Sequence, residues 1–157
     1  MAAGDHVPVH DRERYVRDQL KPWTVIYFLC YFPPHHPRPS NNKYLLIASD
    51  LGVDIIALYI NSRVSRLVAS IPGRKRCQVL LPSALNPFLP KDSYLDCSDF
   101  LRLQTHYAIQ KLTEEVWRIK GVVADGPLKE RIIEAVDASI TLPEGVRKRV
   151  LKSFRDL

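Results

Sequence analysis

The hydrophobic period of this chain changes once, near Val123, and the change constrains the fold more than any single motif. Before it, apolar residues come in short runs rich in β-branched and aromatic side chains, cut by proline, glycine, asparagine and serine. After it, Leu128, Ile132, Ile133, Val136 and Ile140 recur at three- and four-residue spacing, and Val146, Val150, Leu151 and Phe154 repeat the pattern. The first pattern specifies strands and the second helices. Strands followed by helices imply a mainly β, α+β chain: a small barrel or strongly bent sheet with helices packed at one end.

Residue by residue, Met1–Leu20 reads as an arm followed by a short charged helix, capped by Asp11 and with only a weak apolar face. Trp23–Phe32 reads as a strand buried on both faces or nearly so. Pro33-Pro-His-His-Pro-Arg-Pro-Ser-Asn-Asn42 is neither helix nor central strand, because its prolines remove donors and fix φ, so a stiff exposed loop is expected. Lys43–Ser49 and Asp54–Ile60 read as the next strands, the latter stopping at Asn61-Ser62. A basic loop containing Pro72-Gly73 precedes a strand at Cys77–Leu81. The proline-punctuated Pro82–Pro90 precedes a short strand at Ser93–Cys97. His106–Leu112 reads as a short helix and Trp117–Val123 as a last edge strand. Pro127 suits the first turn of the helix that follows. Thr141-Leu-Pro-Glu144 has the form of a capping box opening the final helix. The expected organisation is an arm over 1–20, a barrel domain over 21–142 and a basic helix over 143–157.

The chain has 157 residues, 46% of them hydrophobic, which is about one domain's worth and enough for a single core. No apolar run reaches the ~18 residues of a membrane helix. The first residues are polar and charged, unlike a secretion signal, so no membrane and a cytoplasmic location are expected. Cys30, Cys77 and Cys97 are an odd number with no C-x-x-C pair, which favours reduced, buried thiols over a zinc site. No metal is expected. P-loop and dinucleotide-binding glycine fingerprints are absent, so no cofactor is expected either. A G-x-S-x-G elbow is also absent.

The formal charge is +6, and its distribution says more than its size. Between Asp54 and Asp92 there is no acidic residue, while Arg63, Arg66, Arg74, Lys75, Arg76 and Lys91 fall there. The last segment adds Arg147, Lys148, Arg149, Lys152 and Arg155. Such blocks fit a polyanion, most often nucleic acid, or else a solvated surface or a docking face for an acidic protein. In the final helix they are expected to point outward, opposite the apolar stripe.

From about Lys21 to Leu142 the order of segments resembles the MazF/PemK toxin family of SH3-like barrels. Asn42-Lys-Tyr-Leu-Leu-Ile-Ala-Ser49 stands where the family has an Arg-Pro-x-Leu-Val-Leu-Ser-like strand. Leu58-Tyr-Ile-Asn-Ser-Arg63 stands for its Pro-Ile-Thr-Ser-like ending, and Asp92-Ser-Tyr-Leu-Asp-Cys97 for a Ser-Tyr-Val-like strand. Lys120-Gly-Val-Val-Ala-Asp125 and the helix after it echo a Gly-Arg-Leu-Ser turn leading into a C-terminal helix. The resemblance implies a metal-independent endoribonuclease acting on single-stranded RNA, homodimeric and neutralised by a cognate antitoxin. It puts Lys43 at the basic position, usually Arg, and Asn61, followed by Ser62, at the catalytic hydroxyl. The Gly-Asp pair that often opens the first strand is replaced by Pro22-Trp23.

Attack of a ribose 2′-OH on its own phosphate requires a proton acceptor, a leaving-group donor and positive charge on the phosphoryl oxygens. Lys43 or Arg63 can supply the charge, and Ser62 or Asn61 a hydrogen bond. His35 and His36 titrate near ~6.5 when unperturbed, so either can shuttle a proton. Arg66, Arg74, Lys75 and Arg76 would grip phosphates, and Tyr94 would stack on a base. Each also has a plainer role: exposed loop histidines, a strand-edge lysine, turn-forming Asn and Ser, and a tyrosine filling the barrel. The second function class is therefore a non-catalytic module that binds nucleic acid or protein on the same barrel.

Overall fold

A computed structural model describes residues 8–30 and 41–156. Its strands are β1 Thr24–Cys30, β2 Asn41–Ile47, β3 Asp54–Asn61, β4 Gln78–Leu81, β5 Ser93–Gln104 and β6 Arg118–Val122. They form one antiparallel sheet in the order β4-β5-β3-β2-β1-β6. The helices are α1 Val9–Gln19, the one-turn α2 Arg66–Ala69 and α3 Pro72–Lys75, α4 Thr105–Thr113, α5 Gly126–Asp137 and α6 Glu144–Arg155.

Over most of β1, β2 and β3 there is no polar face, because both sides of that part of the sheet are covered. Leu46, Ala48, Ile56, Leu58 and Leu95 point to one side, where Leu128, Ile132 and Val136 of α5 and Val146, Val150 and Phe154 of α6 close a core. Ile26, Leu45, Ile47, Ile55 and Ala57 point to the other, beneath Val16 of α1 and Ala108, Ile109 and Leu112 of α4. A near-continuous apolar run is what a sheet buried on both faces demands. Helices packed only at one end were expected, yet they lie on both faces. The segments before residue 21 and after 142 contribute to these same cores.

The sheet is curled toward the α5/α6 side. Gly121 of β6, at one edge, lies opposite Val25 of β1, whose side chain is in the α5/α6 core. Phe88 comes from the loop after β4, at the other edge, and its ring occupies the space a side chain at Gly121 would need. A Cβ there would fall 2.3 Å from the ring. One loop residue thus spans from edge to edge. Glycine is required at 121 by this close approach rather than by its backbone angles.

Several local expectations are corrected. Asp11 does not cap α1; it sits in the first turn, and Pro8 holds the cap position. The basic loop after β3 contains two helical turns, the first capped by Ser65, whose Oγ accepts from Val68 N at 3.2 Å. β5 does not end at Cys97. Two steps on β3, Ala57 to Tyr59, face five on β5, Leu101 to Asp96, so Ser98-Asp99 marks a bulge rather than a stop. Ile140 is 82% exposed and lies past the end of α5. Thr141 forms no capping box; its hydroxyl donates to Ser98 O at 2.7 Å, and Pro143 precedes α6.

The α6 stripe, by contrast, is buried as its spacing requires. Four apolar side chains at about 1.5–3 kcal/mol each outweigh the exposed Lys148–Glu144 pair, worth a few tenths, so the stripe docks the helix.

Candidate nucleic-acid interface

Antiparallel pairing puts the predicted site residues in line. Phe28 faces Lys43, Tyr44 faces Ile60, Asn61 faces Tyr94, and Tyr94 faces Leu80. One step beyond the Tyr44–Ile60 pair, Lys43 lies level with Asn61. Directly opposed residues share a face, so Phe28, Lys43, Asn61, Tyr94 and Leu80 form a row across five strands. A second row on the same face is Ile26, Leu45, Tyr59, Asp96 and Gln78.

Burial divides these rows. At the β1 end Phe28 is covered and meets the Trp117 ring edge-on at 5.3 Å. Toward β4 the cover thins except over Asp96, which Arg74 closes off: Lys43, Asn61, Tyr94, Tyr59 and Gln78 are half-buried, and Leu80 is 42% exposed. Tyr94 therefore belongs to neither core and presents itself on the open half of the α1/α4 face. Among the described residues, no hydrogen bond or ion pair engages the side chains of Lys43, Asn61 or Tyr94. Three polar side chains, unpartnered among the described residues, thus lie level on adjacent strands.

The second row is built differently. Asp96, 5% exposed, accepts from Ser98 N at 2.8 Å, from Ser98 Oγ, from Gln78 Nε2 at 2.8 Å and from Arg74 Nη2 at 3.4 Å. Arg74 Nε also donates to Ser98 Oγ at 3.0 Å. A buried carboxylate costs several kcal/mol unless it is paired and hydrogen-bonded, and these contacts meet that requirement. Arg74 is thereby held inside the fold, anchoring α3 to β5.

The remaining cations of the β3–β4 connection are free to meet a ligand. Arg63, Arg66, Lys75 and Arg76 are exposed, and none forms an ion pair among the described residues. Ser62 is exposed directly after Asn61. The connection leaves β3 at Asn61, crosses β5 and enters the parallel strand β4 at Gln78, so Arg63 follows the first row by two residues and Arg76 precedes the second row by two. His35 and His36 lie outside the described residues.

The basic face of α6 is less available than its sequence implies. Arg149 binds the Asp54 carboxylate and, at 2.6 Å, its carbonyl. Arg147 donates to Asp137 O at 3.1 Å, and Lys148 pairs with Glu144 at 3.0 Å. Hydrogen bonding from Arg149 holds the Asp54 carboxyl below its usual range against the opposing effect of burial, with Arg102 assisting. Two of this helix's five cations, Arg147 and Arg149, therefore serve to fasten it.

Other chemistries find less support in the residues. Cys77 and Cys97 are buried, and burial pushes both thiols up, which disfavours the nucleophilic thiolate. Among the described residues no three His, Cys, Asp or Glu side chains group to hold a metal ion. Nor is any described helix long and apolar enough to cross a membrane.

Tyr59, Asp96 and Gln78 were not singled out from the sequence. Asp96 did carry a signal, since a carboxylate between Leu95 and Cys97 in an apolar strand demands buried partners. Tyr59 and Gln78 become visible only once the register is known. No protein-family model and no curated protein matches the chain.

Proposed function

We propose that this protein binds single-stranded RNA across the open half of the α1/α4 face and cuts it without a metal, as an endoribonuclease toxin on a MazF/PemK-like, SH3-like curled sheet. The observation that carries the reading is the level row of Lys43, Asn61 and Tyr94, unpartnered among the described residues, with exposed Arg63, Lys75 and Arg76 on the connection from β3 to β4. Aromatic faces on a strand surface stack unpaired bases, and surrounding cations track the backbone. In this reading Lys43 faces the phosphoryl oxygens, Asn61 and Ser62 donate hydrogen bonds to them, and Tyr94 holds a base. His35 and His36 remain the candidate proton carriers. The resemblance adds a homodimer and a neutralising antitoxin. One observation favours the second reading, a binding module without catalysis: an amide, Asn61, stands at the expected hydroxyl.

A labelled single-stranded RNA tests this. Cleavage is expected to persist in excess EDTA. Changing Arg63, Lys75 and Arg76 together to alanine should weaken binding to all sequences and reduce the log–log salt slope by about 2, at ~0.7 per phosphate contact. Magnesium-dependent cleavage would overturn the mechanism. An unchanged slope would remove these cations from the interface, and RNA bound but left intact would favour the module.

A further inference from the structure

Gln78 belongs to the second row, diagonal to Tyr94, a spacing of about 7–8 Å that a stacked base bridges. Its amide orientation is dictated by its partners. Nε2 donates to Asp96 Oδ1 at 2.8 Å and to Arg74 O at 3.1 Å. An ionised carboxylate and a carbonyl only accept, so the nitrogen must face them. Both amide hydrogens are thereby used. The amide oxygen is turned away from that pair, has no partner among the described residues and is not sealed from solvent. Asp96 is itself clamped by Ser98 and Arg74, so the oxygen is a fixed acceptor on an otherwise cationic surface.

We infer that Gln78 is a specificity-determining residue, its Oε1 accepting a hydrogen bond from the exocyclic amino group of a base stacked on Tyr94. This rests on the RNA reading above. Cytosine N4 and adenine N6 are donors, whereas uracil places an acceptor, O4, at the corresponding position. Uracil there sets two oxygens against each other. The site therefore prefers cytosine or adenine to uracil where Tyr94 stacks.

The test compares hexamers of cytidine and of uridine, both 2′-fluoro-substituted so that no attacking hydroxyl is present. Wild-type protein should bind the cytidine hexamer about five- to tenfold more tightly. Gln78→Lys keeps an N–H donor toward Asp96 but has no acceptor. It should bring the ratio close to one without weakening uridine binding, because the added charge favours both oligomers alike. Gln78→Leu should level the ratio as well, and thermal melting of both variants shows whether the fold is retained. Equal affinities in the wild type, or a cytidine preference that survives in Gln78→Lys, would overturn the assignment while leaving RNA binding intact. If neither hexamer binds wild-type protein, the RNA reading and this inference fall together.

Discussion

Replacing Lys43 with methionine is expected to slow single-turnover RNA cleavage by about 10²–10³-fold, the usual effect of losing one group that stabilises transition-state charge. Methionine keeps most of the stem's bulk beside Phe28 and removes only the ammonium. Among the described residues that ammonium has no ion pair, so thermal stability should stay within about 0.5 kcal/mol of wild type. RNA affinity should fall only a few-fold, as for the loss of one phosphate contact. Stopped-flow cleavage with excess enzyme separates the two effects. A rate within threefold of wild type would mean that Lys43 does not face the reacting phosphate, and catalysis would have to be sought nearer Arg63.

Phe154→Ala should produce the largest loss of stability, about 3–5 kcal/mol from side-chain removal and cavity together. Phe154 and Trp23 are each 3% exposed, and their rings stack at 4.0 Å with an interplanar angle of 18°. Trp23 occupies a demanding position. Thr24 N donates to Lys21 O, and the φ of 77° at Trp23 is that of a type II turn's third residue, where glycine is usual. Bonds from Trp23 N to Ile47 O at 3.0 Å and from Val123 N to Trp23 O at 2.9 Å hold it there. Without Phe154 this strained residue loses its stacking partner and α6 its largest buried side chain. A domain of total stability ~5–15 kcal/mol would be visibly weakened, as a shifted urea midpoint at similar slope. A loss below about 1 kcal/mol would show that α6 is fastened by Arg149 and Asp54 instead.

The fold was legible where period and burial coincide. β1 to β4, the edge strand β6, α5 and the α6 stripe follow from alternation or from three- and four-residue spacing, with boundaries within a few residues. What escaped was whatever depends on partners distant in sequence. α1 shows a weak stripe because Val16 and Leu20 suffice once α4 lies beside them. The strand from Ser93 is expected to stop at Cys97, yet it continues through a bulge where Asp96 holds Arg74 and Thr141 bonds to Ser98 O, partners that only the fold brings there. Lys43, Asn61 and Tyr94 were named individually, but that they lie level on one open face is a matter of register, which no local pattern encodes. Likewise Arg147 and Arg149 read as surface charge until Asp137 and Asp54 are brought to them.

Backbone amide shifts of the labelled protein titrated with a single-stranded RNA hexamer in EDTA test the central claim most directly. The largest changes are expected along Lys43, Asn61, Tyr94, Gln78 and Leu80 and in the Arg63–Arg76 connection, with α5 and α6 unmoved. Changes confined to Lys152, Arg155 and the rest of α6, or no saturable change anywhere, would contradict an RNA site on the open sheet face.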